Sequence, residues 1–170
     1  AASDVYKRQV VGYLAQVFQE PRVRFIIMEP KNAACIFASA AAGDGRPHAV
    51  TGDLDTIMVG LACGEPNPLS WEILRDIPSA YVSCDNSVAA NGMRILANPL
   101  AGDASLEAGE SGAVGIGLID LLANHPDFRS LKENLEIGPD STLLCFNTEG
   151  ATDPVNYQEI IWHGKYPALD

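Results

Sequence analysis

The chain has 170 residues, 47% of them hydrophobic, and a formal net charge of −11. That length holds one domain, or one domain and a piece of another, with apolar content enough for a real core. The acidic balance argues against a nucleic-acid or anionic-membrane partner, which needs a basic face, and no run reaches the roughly 18 apolar residues of a membrane span.

Residues 10–19 (VVGYLAQVFQ) are predicted as the end of an apolar helix. Residues 24–28 (RFIIM), stopped by Glu29-Pro30, are predicted as a buried strand. Asn32 is the expected cap of a small-residue helix over 33–42 that ends at Gly43. Residues 44–55 are turn-rich, 56–63 are predicted as a short helix, and 64–68 (GEPNP) as a loop. Ser70 is the expected cap of a helix over 71–76, and 80–83 (AYVS) the second strand. Asp85 or Asn86 opens a helix to about Leu96, and helices at 112–124 and 130–136 follow. Residues 143–146 (LLCF) are predicted as the third strand and 156–162 as a terminal helix. Short strands, apolar on both faces and alternating with helices, indicate an α/β domain with a parallel sheet. Ligands of such domains lie at the carboxyl ends of the strands, here Glu29-Pro30, Ser83-Cys84-Asp85 and Asn147-Thr148-Glu149.

The first nine residues, AASDVYKRQ, fit badly with the rest of the chain. They set Asp4, Lys7 and Arg8 directly against an apolar helix, and they resemble translated adapter sequence from the ends of metagenomic reading frames. Residues 1–9 are therefore expected to be a non-native tail. Cys35, Cys63, Cys84 and Cys145 are scattered in apolar settings without a CxxC, which reads as buried thiols of a reducing, cytoplasmic compartment. A disulfide such as Cys63 to Cys84 stays open, because spacing does not decide pairing.

The most informative stretch is Gly109-Glu110-Ser111-Gly112-Ala113-Val114-Gly115-Ile116-Gly117, a glycine-rich turn opening an apolar helix. Small residues there let a flat ligand approach the backbone, and the helix start offers N–H groups. With Asn147-Thr148-Glu149-Gly150 it reads as part of a cofactor site.

The order of motifs resembles the pyridoxal-phosphate (PLP) enzymes of the tryptophan-synthase-β type. The matching pieces are Ile26-Ile27-Met28-Glu29-Pro30, Thr56-Ile57-Met58-Val59-Gly60-Leu61-Ala62, Val82-Ser83 with Val88 and Met93-Arg94, and Glu110-Ser111-Gly112-Ala113. Asn147-Thr148-Glu149-Gly150 stands where serine and threonine dehydratases carry Ser-Gly-Gly-Asn. Longer matches resemble one family within that class, diaminopropionate ammonia-lyase: Gly60-Leu61-Ala62-Cys63-Gly64-Glu65-Pro66-Asn67-Pro68, Gly109 to Val114, and Thr148-Glu149-Gly150 with Thr152-Asp153-Pro154 and Asn156-Tyr157. The resemblance covers residues 10 to about 164.

That resemblance implies a three-layer parallel-sheet α/β domain of a fold-type II PLP enzyme, truncated at the N-terminus, with residues 10–170 as the C-terminal part of the PLP-binding domain. It implies a homodimeric lyase that converts 2,3-diaminopropionate, a small amino acid substrate, to pyruvate and ammonia with pyridoxal 5'-phosphate as cofactor. Threonine or serine dehydratase is the alternative within the class. It further implies cofactor contacts from Thr148, facing the pyridine nitrogen, and from Glu110, Ser111 and Gly112 against the ring or its 3′-oxygen. Asn147 and Glu149 are neighbours whose direction the sequence leaves open; alternation turns only one of Asn147 and Thr148 to a given face. The Schiff-base lysine, the proton-shuttling acids and the phosphate-cradling glycine loop are expected upstream of Val10. None of Lys7, Lys31, Lys132 and Lys165 looks buried. The fragment alone is expected to bind PLP poorly and to be inactive.

Plainer readings stand beside these. Thr148 also reads as a strand-end turn residue and Glu110-Ser111-Gly112 as a capped helix start. Glu29 reads as a turn acid; a cation beside it is not expected, because Cys35 replaces a hard oxygen ligand. His48, His125 and His163 lack metal-ligand spacing and read as loop or cap residues. Trp71 and Trp162 read as partly buried packing groups. Ser111, Asp153 and His163 follow the chain order of a serine hydrolase, but Ala113 stands where the nucleophile elbow needs glycine. A dinucleotide site lacks its G-x-G-x-x-G, and a non-catalytic domain would have to bury the 10–19 helix face on its own.

Overall fold

The computed structural model describes residues 2–19 and 23–168. The chain divides into two compact units, residues 1–56 with 60–83 and residues 57–59 with 84–170. The expected α/β class is present, with a small parallel sheet of two strands.

In the first unit α1 (Ala2–Val17) leads to β1 (Ile26–Pro30), which pairs with β2 (Ala80–Cys84). Strand β1 starts two residues later than expected and ends at Pro30, which has no N–H for the ladder. Then come a 3-10 turn, Lys31–Ala33, and α2 (Cys35–Ala42), closed by Gly43 in the left-handed region at φ 68°. Asn32 does not cap that helix: its Nδ2 donates to the Asp55 carbonyl at 2.8 Å. Instead the Glu29 carboxylate accepts the Phe37 N–H at 2.8 Å, near the start of α2, where a negative charge is favoured.

The helix expected over 56–63 shrinks to a single turn, Val59–Leu61. β-Branched Thr56, Ile57 and Val59 and Gly60 are poor helix formers, and Cys63 is held in a parallel bridge to Ala34. In α3 (Pro68–Leu74) Pro occupies the first turn, and the cap is Asn67, whose side chain accepts the Ser70 N–H at 3.1 Å. Ser70, the expected cap, is buried inside the helix. Val11, Ile27, Cys35, Ile36, Cys63, Trp71 and Leu74 make the core of this unit.

Asp4 is wholly buried in the same unit. Its Oδ2 lies 3.3 Å from the Asn67 N–H, 3.7 Å from Cys63 Sγ and 3.9 Å from Cys35 Sγ. Its Oδ1 has no hydrogen bond among the described residues, with the Lys7 ammonium 3.7 Å away.

The second unit holds α4 (Asn86–Ala97), α5 (Glu110–Asn124), a 3-10 turn Pro126–Phe128, α6 (Arg129–Asn134) and α7 (Pro154–Ile161). Ala90, Met93, Ala108, Ala113 and Ile160 form its core. Helices α4 and α5 cross at glycines: a Cβ on Gly92 would strike the Ala113 carbonyl, and one on Gly117 the Val88 carbonyl. The Arg94 guanidinium ties down the end of the chain by donating to the carbonyls of Lys165 and Tyr166 at 3.1 and 2.8 Å.

The third strand is not formed. Residues 143–146 run without regular structure, and Leu143, Leu144 and Phe146 are exposed at 43%, 69% and 52%. A strand needs a partner for its backbone N–H and C=O groups, and the described residues supply none here. Trp162 also departs from its expected place at 74% exposure, whereas Trp71 is buried and donates Nε1–H to the Gly45 carbonyl. All four cysteines are free thiols.

Candidate functional site

The two motifs singled out in the sequence meet in the second unit. Helix α5 begins at Glu110 after Gly109, whose extended backbone serves as N-cap but which has no side chain to close the first turn. The loop 147–150 does so from 38 residues away. The Glu149 carboxylate accepts the Ser111 N–H at 2.9 Å, and the Glu149 carbonyl accepts the Gly109 N–H at 2.8 Å. Glycine is required on the facing side. A Cβ on Gly109 would come within 2.7 Å of Glu149 Cγ, and one on Gly112 would overlap Asn147 Oδ1.

Around this junction Asn147 Nδ2 donates to the Glu107 carbonyl at 3.2 Å, and Ala151 N–H to the Glu107 carboxylate at 3.2 Å. Asn147 thus turns toward the α5 turn. Thr148 is exposed, and its hydroxyl takes no hydrogen bond from the described residues. The Ser111 N–H is not open to an incoming anion, contrary to the reading of this helix start as a donor of free N–H groups, because an internal carboxylate already fills that place.

Glu110 is buried, and its carboxylate accepts from Asn156 Nδ2. Asn156 in turn accepts from the Lys165 ammonium at 2.9 Å. Asp153 caps α7 by accepting the Asn156 N–H at 3.0 Å. Burial, with Glu107 nearby, raises the Tyr157 phenol. Neither the Glu149 closure nor the Asn156 bridge was legible beforehand. Only the cap signal Asp153-Pro154 marked this region, and it pointed to a helix start rather than to partners.

Of the serine-hydrolase set, Asp153 is engaged as a cap, and the exposed His163 makes no hydrogen bond to Ser111. His48 pairs with Asp44 at 3.0 Å, and His125 Nδ1 accepts the Asp127 N–H at 3.3 Å at the start of its 3-10 turn. Lys7 is more enclosed than its sequence setting implies: its side chain is 13% exposed and pairs with the buried Glu29 at 3.0 Å. Among the described residues, one group has the proximity to hold a metal ion, Asp4 with Cys35 and Cys63, all buried, with ligand atoms within 4.8 Å of one another. Burial, then the charges of Glu29 and Asp4, push the Cys35 thiol far up and oppose the thiolate that would ligate a metal.

The α/β fold with its small parallel sheet matches that of the fold-type II PLP enzymes. Maize serine racemase superposes with a TM-score of 0.53 at 24% identity, over 65% of this chain and 31% of that chain. A bacterial threonine deaminase (T.th.) gives 0.53 at 16% identity, over 66% and 38%. At that identity the likeness speaks for the fold alone.

Within that class the chain is similar to diaminopropionate ammonia-lyase. It is 48% identical over 157 residues to the Escherichia coli (strain K12) protein and 45% identical over 157 residues to that of Salmonella typhimurium (strain LT2), in each case across 92% of this chain. The Escherichia coli enzyme in complex with an aminoacrylate-PLP azomethine reaction intermediate superposes with a TM-score of 0.86 at 42% identity, over 98% of this chain and 42% of that one. The same enzyme in complex with D-serine gives 0.82 at 43%, over 94% and 39%. The chain spans 39% of the length of the curated relatives it matches. No protein-family model matches it.

Proposed function

We propose that residues 10–170 are the C-terminal part of the PLP-binding α/β domain of a lyase that converts 2,3-diaminopropionate to pyruvate and ammonia. In this reading the complete domain is three-layered and the complete enzyme a cytoplasmic homodimer. The observation that carries the reading is the 48% identity across 92% of the chain, set beside a span of only 39% of the relative. The unpaired segment 143–146 supports a missing sheet neighbour, since its exposed apolar side chains and backbone have nothing to join. Residues 1–9 we take as foreign to the enzyme. The buried Asp4 with an unbonded oxygen supports this, because a polar atom left so costs about 1–3 kcal/mol.

The residues at the junction fit a pyridine ring. Thr148 offers an unengaged neutral hydroxyl next to a rigid glycine turn, and no cationic side chain is bonded to it. When bound, PLP supplies an electron sink for the charge left at the substrate α-carbon. Thr148 would face the ring nitrogen and, being neutral, leave it unprotonated. A weaker sink suits elimination, in which no long-lived carbanion is wanted. Glu110, Ser111 and Gly112 would line the ring edge, and Asn147 would hold the loop behind Thr148. The anchoring lysine and the acids that move the α-proton belong, on this reading, to the part of the enzyme before residue 10.

The test is substrate profiling of the complete enzyme on diaminopropionate, serine and threonine, with pyruvate and ammonia measured. Diaminopropionate should be the preferred substrate. A preference for serine or threonine would make the protein a dehydratase, and absence of pyruvate from diaminopropionate would end the assignment. The 170-residue chain by itself should neither bind PLP tightly nor turn over substrate.

A further inference from the structure

We infer that Glu149 is a positioning residue for Thr148: it latches the 147–150 loop to the first turn of α5 and so sets where the Thr148 hydroxyl stands. This rests on the proposed function, because the place of that hydroxyl matters only with the cofactor ring beside it.

Residues 141–150 have no regular structure, and Asn147 and Thr148 are exposed. A segment of that kind moves unless it is tied. Glu149 ties it twice, through its carboxylate to the Ser111 N–H at 2.9 Å and through its carbonyl to the Gly109 N–H at 2.8 Å. The Thr152 hydroxyl adds a longer contact to the other carboxylate oxygen at 3.5 Å. On the opposite side of Thr148, Asn147 Nδ2 donates to the Glu107 carbonyl at 3.2 Å. Thr148 is thus pinned through both of its neighbours while its own side chain stays unengaged.

The latch is well placed electrostatically. The first N–H groups of α5 have no partner within the helix, and a carboxylate is favoured at that end. Gly109 removes the usual rival, a side chain at the N-cap, and leaves the space that Glu149 Cγ fills.

The experiment uses the complete enzyme with Glu149→Ala, Glu149→Gln, Thr148→Ala and the double variant Thr148→Ala/Glu149→Ala, reading PLP affinity by fluorescence titration alongside kcat and KM. Glu149→Ala should weaken PLP binding and lower kcat about tenfold, with KM for diaminopropionate changed by less than about twofold. Glu149→Gln should recover most of both, since the amide oxygen still accepts the Ser111 N–H. The double variant should be no worse than Thr148→Ala, because a residue that acts through another adds nothing once that other is gone. A Glu149→Ala enzyme equal to wild type, or losses that multiply in the double variant, would overturn the latch. In the 170-residue chain, amide exchange at Ser111 should accelerate in Glu149→Ala; unchanged exchange also overturns it. A complete wild-type enzyme with no PLP binding and no pyruvate would defeat the proposed function instead, while the Ser111 exchange still judges the latch.

Discussion

Gly92 lies directly against the backbone of Gly117: a Cβ added to Gly92 would stand 2.8 Å from the Gly117 nitrogen and closer still to the Ala113 carbonyl. Helices α4 and α5 therefore meet backbone to backbone, which only residues without a side chain allow. Gly92→Ala and Gly117→Ala should each destabilise the second unit by about 2 kcal/mol or more, because neither helix can yield without breaking its own ladder. Urea unfolding followed by circular dichroism measures this. Gly138→Ala, a position with open space around its Cβ, is the control and should change little.

Asn156 stands between Glu110 and Lys165, and its loss strips the buried Glu110 carboxylate of a donor. Asn156→Ala should cost about 1–3 kcal/mol by the same unfolding assay. Adding Glu110→Gln should recover part of that loss, since a neutral amide is less costly to leave without a partner than a carboxylate. A double variant as unstable as Asn156→Ala alone would mean that the carboxylate is satisfied from elsewhere.

Burial, with Asp85 beside it, pushes the Cys84 thiol from near 9 up to about 12. The folded chain then keeps a proton that the unfolded chain releases, so this thiol makes stability fall as pH rises from about 9 toward 12, by at most about 1.4 kcal/mol per unit. Below about pH 9 both states are protonated and the thiol contributes no slope. In Cys84→Ala that share of the alkaline loss should vanish, and the difference between the two proteins should stay flat below about pH 9. Thiol titration at about pH 8 should find Cys84 slow to react until the chain unfolds.

Leu144 and Phe146 present apolar surface next to unpaired backbone, a combination that invites association between chains. Leu144→Lys/Phe146→Lys should raise the monomeric fraction of the 170-residue chain in light scattering and leave its helical signal unchanged. Joined to the upstream part of the enzyme, the same double variant should fold poorly, because the segment then has a neighbour to pack against.

How much could be read in advance depended on how local the cause was. The helices at 86–97 and 110–124, strands at 26–30 and 80–84, and the stop at Gly43 follow from short-range rules: apolar period, caps, proline without an N–H, glycine at positive φ. Even the meeting of the Gly109 turn with residues 147–150 was suggested by composition, through small residues that only a close approach explains.

Tertiary structure alone decided three further matters. Asn67 rather than Ser70 caps α3, and Glu29 rather than Asn32 serves the start of α2, because the choice among neighbouring polar residues depends on which can reach the N–H groups once the chain has turned. Glu149 closes α5 from a distance that no window along the chain can span. Residues 143–146 have the composition of a strand but not its state, since a strand is a relation between two segments and hydrophobic pattern specifies only one of them.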